Sequence, residues 1–328
     1  MEQVSWGIIG CGDVTEVKSG PAFNKVPNSR LTAVMRRNGQ LAEDYARRHG
    51  VPRWYDSAEE LINDQEVNAI YIATPPDSHS AYAIEAMKAG KPVYVEKPMA
   101  INHSQTLQMI EASEKYNVKL LVAYYRRALP GFLKVKELVD SGRIGAVRTV
   151  NIQLYKSLSE SELTGNTPWR VIPEIAGGGH FADLASHQLD YLDYLLGPVE
   201  RVRSVTTNQV GAYPAEDLIG AAFKFNHNVV ATGSWCFTVP EFMERDIIEI
   251  IGSEGAVRFS CFGFEPVVLV TSEGTETFDF PKPEHVQQNL IDLVVQELTG
   301  KGKSPSTGVS AARTNWVMDE VLKEYYEK

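Results

Sequence analysis

Apolar positions in the first hundred residues fall into short runs separated by amphipathic stretches. Val4-Ser5-Trp6-Gly7-Ile8-Ile9 is a strand-like run that breaks at Gly10-Cys11-Gly12, and a polar, helix-compatible stretch follows over residues 13–25. Residues 31–35 predict a second strand, and the amphipathic run over 40–49 predicts a helix. Asp56-Ser57 can cap a short helix containing Leu61 and Ile62. A third strand, residues 68–73, ends at Thr74-Pro75-Pro76; a helix over 78–88 then leads to a fourth strand over 92–95. A helix from about 104 to 116 precedes the apolar run 119–122. Strands alternating with helices imply βαβ units and a parallel sheet. Right-handed crossovers make that sheet doubly wound, with ligands at the carboxyl ends of its strands.

Beyond Pro130 the rhythm changes. A helix over 132–139 ends at Ser141-Gly142, a long strand covers 147–155, and an irregular stretch over 157–179 precedes a helix over about 181–196. Residues 201–280 read as successive strands turning at Gly211, Asn226-His227-Asn228, Gly252-Ser253-Glu254-Gly255 and Ser272-Glu273-Gly274, which predicts an antiparallel sheet. Helical patterns near 285–299 and 309–326 close the chain. The expected fold class is α/β: an N-terminal doubly wound Rossmann domain over 1–123, then a C-terminal α+β domain over 124–328. The second domain carries a large, mostly antiparallel open sheet, and its last helices are free to pack back on the first.

Composition narrows the function classes. A chain of 328 residues fits two domains. Its net charge of −10 argues against nucleic acid or an anionic membrane as partner. The 3 cysteines are scattered without metal-ligand spacing and fit a reducing compartment. Neither a basic, cleavable leader nor an apolar run near the roughly 20 residues of a membrane span is read, so a cytoplasmic location is expected. His180, His227 and His285 have no spacing that argues for a metal site.

Candidate chemistry begins at Gly10-Cys11-Gly12-Asp13-Val14-Thr15, between a strand and a helix. There Gly10 permits a tight turn and Gly12 lets a pyrophosphate approach backbone N–H groups near Asp13 and Val14. Thr15 replaces the third small residue of the fingerprint. At the end of the second strand, an acidic residue would hold a ribose 2′-OH; the chain has Arg36 and Arg37 instead. Two guanidinium groups there favour a 2′-phosphate, hence NADP over NAD. Asp183 and His187 are spaced i, i+4 and would share a helix face. On spacing alone they read as an ordinary surface pair sooner than as an acid–base pair.

With the Gly10–Thr15 loop, Thr74-Pro75-Pro76-Asp77-Ser78-His79 and Glu96-Lys97-Pro98 in this order, the sequence resembles the Gfo/Idh/MocA oxidoreductase family. Tyr125-Arg126-Arg127, Trp169-Arg170 and Gly177-Gly178-Gly179-His180-Phe181-Ala182-Asp183-Leu184-Ala185-Ser186-His187 extend the resemblance. It implies that Lys97 is an active-site lysine and that Asp183 and His187 complete the catalytic set. It also implies cofactor contacts from Thr74, Pro75, His79, Glu96, Trp169 and Arg170, and substrate contacts from Tyr125 and Arg127 beside the catalytic three. Pro76 stands where many members carry asparagine, which puts that cofactor contact in doubt.

The expected activity is hydride transfer between NADP, or NAD, and a secondary alcohol or ketone of a sugar, inositol or related polyol. Two alternatives stay open: a glycosidase that retains its nicotinamide and works by oxidation and elimination, and a non-catalytic cofactor sensor. By resemblance, the open sheet is expected to join copies of the chain into a homodimer or homotetramer.

Overall fold

Strands that are apolar along their whole length are stable only when covered on both faces. β1 (Val4–Ile9) is buried at every position. In the computed structural model, which describes residues 1–327, it lies inside a sheet with β2 (Ser29–Met35), β3 (Arg53–Tyr55), β4 (Ala69–Ile72), β5 (Val93–Val95) and β6 (Leu120–Val122). The order is β3-β2-β1-β4-β5-β6 and every pair is parallel. The chain therefore changes direction of travel across the sheet between β1 and β4, which places a crevice at their carboxyl ends.

The connecting helices are α1 (Asp13–Val17), α2 (Gly39–His49), α3 (Ala58–Asn63), α4 (His79–Lys88) and α5 (His103–Tyr116). α1 is much shorter than the 13–25 stretch implied, and a 3-10 turn over Gly20–Asn24 follows it. Pro21 is the reason: it has no N–H for the Val17 carbonyl and its ring would meet that carbonyl. The Val17 carbonyl instead faces His285 Nδ1 at 2.6 Å. β3 went unread because three largely exposed residues carry no usable alternation. Helices α3, α4 and α5 cover one face of the sheet with Leu61, Ile62, Ala83, Met87 and Met109. On the other face lie Ala42 and Tyr45 of α2 with Phe23.

The next elements are α6 (Pro130–Asp140), β7 (Val147–Tyr155), α7 (Glu160–Leu163), α8 (Pro173–Ala176) and α9 (Ser186–Leu196). The stretch read as irregular thus holds two short helices, the first closed by a capping box between Ser159 and Glu162. Strands β8 (Val199–Thr207), β9 (Leu218–Phe225), β10 (Val230–Cys236), β11 (Arg245–Gly252), β12 (Gly255–Phe259), β13 (Val267–Thr271) and β14 (Gly274–Phe278) follow. The second sheet runs β14-β13-β12-β11-β7-β10-β9-β8. Its neighbours are antiparallel except β7 and β10, which are parallel.

Alternation along these strands separates two faces. Val150, Ile152, Leu154, Ile248 and Ile250 are buried. On that side Phe259 meets Phe132 and Tyr191 edge-on at 5.7 and 5.8 Å. Trp235 meets Phe181 at 5.1 Å, and its indole donates to Gln188 Oε1 at 2.7 Å. On the opposite side Asn151, Gln153, Thr232, Ser234, Glu249 and Arg258 line a depression of about 410 Å³.

Two helices remain, α10 (Gln288–Leu298) and α11 (Gly308–Tyr326). Leu290, Ile291, Val294 and Val295 of α10 join the cluster that covers Val4, Trp6 and Ile8. Two compact units result, residues 1–128 with 283–312 and residues 129–282 with 313–328. The first unit thus takes up a segment from late in the chain, residues 283–312. Among the described residues no helix is long and apolar enough to cross a membrane.

Trp235→Phe removes the donor to Gln188 and leaves a void among Phe181 and Phe223. A loss of about 2–4 kcal/mol is expected, read as a lower urea midpoint; an unchanged midpoint would show that the indole carries no such weight.

Candidate active site

The loop after β1 is held by its backbone. Gly10 N and Cys11 N donate to the Met35 carbonyl at 2.9 and 3.1 Å, tying the loop to the end of β2. Gly10 has a φ of +93°, and a Cβ there would sit 2.7 Å from Thr74 Cγ2 and 2.8 Å from Thr74 N. Only glycine allows the turns after β1 and β4 to meet this closely. At Gly12 a Cβ would find nothing nearer than the Gly10 carbonyl at 4.0 Å, so space is open at the start of α1. Asp13 is exposed and Val14 half-buried. No side chain caps these first N–H groups. Thr15, in the place of the third small residue, turns inward, and its hydroxyl donates to Gly12 O at 2.8 Å. An uncapped, open backbone of this kind fits a dinucleotide pyrophosphate. Burial pushes the Cys11 thiol up to about 11, so it stays a neutral core group.

Arg36 and Arg37 follow β2 directly and are exposed. Among the described residues neither guanidinium is held in an ion pair. Asn38 behind them caps α2 by accepting from Leu41 N at 3.2 Å.

The ends of β4 and β5 are braced against each other. His79 is fully buried; Nε2 lies 2.8 Å from the Thr74 carbonyl and Nδ1 3.0 Å from the Pro98 carbonyl. Burial pushes its imidazolium down, so a neutral ring donates to one carbonyl at a time. Its polar atoms therefore act inside the fold, on the turns that carry Thr74 and Lys97. Thr74 Oγ1 accepts from Ser78 at 2.7 Å, Pro75 is half-buried, and Pro76 is buried at the start of a 3-10 turn.

Glu96 is 6% exposed and well supplied with donors. The Tyr71 hydroxyl and the Gln287 amide both donate to Oε1 at 2.5 Å, and Lys97 N donates to Oε2 at 3.2 Å. Tyr94 in turn donates to Gln287 Oε1 at 3.2 Å. Lys97 is half-buried at the carboxyl end of β5. Sequence reasoning missed Tyr71 and Gln287: the first reads as an ordinary strand residue, and the second lies 191 positions from its partner.

Tyr125 is half-buried under the Arg126 guanidinium at 5.0 Å, whereas Arg127 is buried and donates to the Pro305 carbonyl at 2.8 Å. That bond gives Arg127 a structural partner within its own unit.

In the second unit, Arg170 lies over the Trp169 ring at 4.5 Å and pairs with Asp183, Nε to Oδ2, at 3.4 Å. Asp183 is not on a regular α-helix. It belongs to a π-helical turn, Phe181–Ala185, and His187 is the second residue of the regular α9 after it. The turn is wider than 3.6 residues, a local irregularity that recurs at functional sites. Its entry is pinned: Gly179 N donates to Glu216 Oε1 at 2.8 Å, and the Tyr326 hydroxyl donates to Oε2 at 2.5 Å. A Cβ on Gly179 would come within 2.7 Å of Ala215 Cβ, so a side chain would push the turn off its anchor. No local pattern marks Glu216 or Tyr326 for this task. His187 is 3% exposed.

Comparison with known proteins decides the family. A model described as an oxidoreductase family with an NAD-binding Rossmann fold matches residues 4–124, and a GFO/IDH/MocA C-terminal domain matches 132–258. Oxidoreductase P35 of Formosa agariphila is 43% identical over 322 residues, 97% of this chain and 98% of its own length. The chain belongs to the GFO/IDH/MocA oxidoreductase family. The 1,5-anhydro-D-fructose reductase of Ensifer adhaerens is 26% identical over 310 residues, 92% of this chain and 90% of its own. A levoglucosan dehydrogenase solved with NADH shares the fold, with a TM-score of 0.90 at 20% identity over 99% of this chain and 97% of that one. This GFO/IDH/MocA member is an oxidoreductase with an NAD-binding Rossmann fold.

Burial raises the Glu216 carboxyl above its ordinary value of 4.5, against the bonds from Tyr326 and Gly179. The folded chain therefore keeps a proton there that the unfolded chain has released. Stability from this group is complete below the ordinary value and is lost as pH rises through the raised one. Glu216→Gln should flatten the fall in urea midpoint with pH above 4.5; a slope identical to wild type would count against a raised carboxyl.

Proposed function

We propose that the chain transfers a hydride between a nicotinamide dinucleotide, NADP in preference to NAD, and a secondary alcohol or ketone of a sugar or related polyol. The observation that carries this reading is Lys97. It stands at the carboxyl end of β5, next to a buried, hydrogen-bonded Glu96, in the unit that also has the open glycine loop. The sugar class rests on relatives, a 1,5-anhydro-D-fructose reductase by sequence and a levoglucosan dehydrogenase by fold.

Residues Gly10, Gly12, Asp13 and Val14 would hold the pyrophosphate, Arg36 and Arg37 the 2′-phosphate, and Thr74, Pro75 and Glu96 the strand-end side of the nucleotide. When bound, the nicotinamide supplies the place where a hydride is taken or given. In the oxidative direction His187 takes the hydroxyl proton as the carbon–oxygen bond becomes double. Meanwhile the Lys97 ammonium donates a hydrogen bond to the same oxygen and stabilises its alkoxide character. Asp183 binds a neighbouring substrate hydroxyl or orients the imidazole, with the Arg170 guanidinium paired to it. Trp169 offers a ring face to the cofactor, and Tyr125 and Arg127 a ring and a guanidinium to the substrate.

We further propose that the polar face bearing Asn151, Gln153, Glu249 and Arg258 joins two copies of the chain. Light scattering should then give at least twice the 36.4 kDa chain mass; a monomer at all concentrations would remove the idea.

Nicotinamide absorbance followed across anhydro sugars, aldoses, inositols and their keto forms tests the activity. Lys97→Ala should lower kcat by about 10²–10³-fold, and His187→Asn by about 10²–10⁴-fold. If both variants turn over as wild type does, the assignment fails. Arg36→Asp should weaken NADPH binding about ten- to a hundredfold, the effect of a lost charge-assisted bond, while leaving NADH binding nearly unchanged. Equal affinity of both proteins for NADPH would end the case for a 2′-phosphate site.

A further inference from the structure

Three consecutive backbone N–H groups after β12 converge on one carboxylate. Asp246 of β11 accepts from Cys261 N at 2.9 Å through Oδ1, and from Phe262 N and Gly263 N at 2.5 and 3.1 Å through Oδ2. Beside it, Ser260 Oγ accepts from Glu265 N at 3.1 Å, and Phe264 holds a φ of +54°, a region that bulky residues seldom enter. So many constraints on one short loop leave its backbone little choice. What the loop delivers is the ring of Phe262, whose centroid stands 6.0 Å from the His187 imidazole at an interplanar angle of 74°. That is an edge-to-face contact within the attractive range for aromatic pairs.

A histidine ring needs such a contact if it is to move protons in one direction. Rotation about its terminal torsion is soft and roughly two-fold, so packing and hydrogen bonds must select the orientation that aims a given nitrogen. We infer that Phe262, fixed by Asp246, is a positioning residue for His187. It sets the plane of the imidazole and so the direction of its proton-transferring nitrogen. The inference rests on the proton-transfer role proposed for His187. A leucine would fill most of the same volume without an aromatic edge. A tyrosine would keep the edge.

Steady-state kinetics on the full chain carrying Phe262→Leu, Phe262→Tyr or Asp246→Asn provide the test. Phe262→Leu should lower kcat about tenfold with KM changed by less than about twofold, since orientation governs the proton-transfer step more than binding. Phe262→Tyr should recover most of kcat, and Asp246→Asn should fall between the two. Equal losses in the leucine and tyrosine variants, or a change confined to KM, would overturn the inference. A second readout needs no substrate: histidine carrying ¹³C at Cε1 is observed by NMR, with the His187 signal identified as the one missing in His187→Asn. That signal should shift and broaden in Phe262→Leu and stay near its wild-type position in Phe262→Tyr. An unmoved signal in the leucine variant overturns the inference by itself. Wild-type protein inert toward every sugar would defeat the proposed function, while the NMR comparison would still decide the role of Phe262.

Discussion

A carboxylate can lie buried at the end of a parallel strand only where donors replace the water it has lost, and around Glu96 those donors organise the first unit. Burial, with the carboxylate beside it, pushes the Tyr71 phenol far above its ordinary value, so it remains a hydrogen-bond donor. Ser19 Oγ lies 3.1 Å from the same phenol oxygen, which ties the segment after α1 into the cluster. Gln287 then draws the start of α10 onto strands synthesised long before it. The turn bearing Lys97 inherits its position from this cluster and from the His79 brace on the Pro98 carbonyl.

The second unit uses acidic side chains in a related way. Glu216 accepts from the Gly179 backbone, Asp217 from Gln209 N and Val210 N at 2.8 and 2.9 Å, and Asp246 from the loop after β12. Each carboxylate anchors a backbone that would otherwise have water as its partner. Part of the acidic excess of the chain thus serves its loops rather than its surface. The two anchors at Glu216 and Asp246 bear on one helical segment, through Gly179 before the π-turn and through Phe262 beside His187.

How much of this was legible follows from the range of the interactions. The βαβ alternation is written in runs such as Val4–Ile9 because both faces of each strand are covered, and the open sheet is written in alternating β7. The glycine loop is legible because backbone geometry demands glycine at Gly10. The short α1 was overlooked although Pro21 marks its limit, since amphipathic character alone continues past it. The π-turn around Asp183 has no periodic signature, because it differs from an α-helix by one residue. Gln287 and Glu216 escaped for another reason: their partners lie 191 and 37 positions away, beyond the reach of spacing rules.

The return of residues 283–312 to the first unit has a consequence for synthesis. As the chain leaves the ribosome, β1 through β6 emerge early, but the apolar face over Val4, Trp6 and Ile8 must wait for Leu290, Ile291 and Val294. Throughout that interval an intervening unit is being made while its predecessor lacks one wall. Nascent chains therefore carry an uncovered sheet face until α10 has emerged, a natural target for holding chaperones.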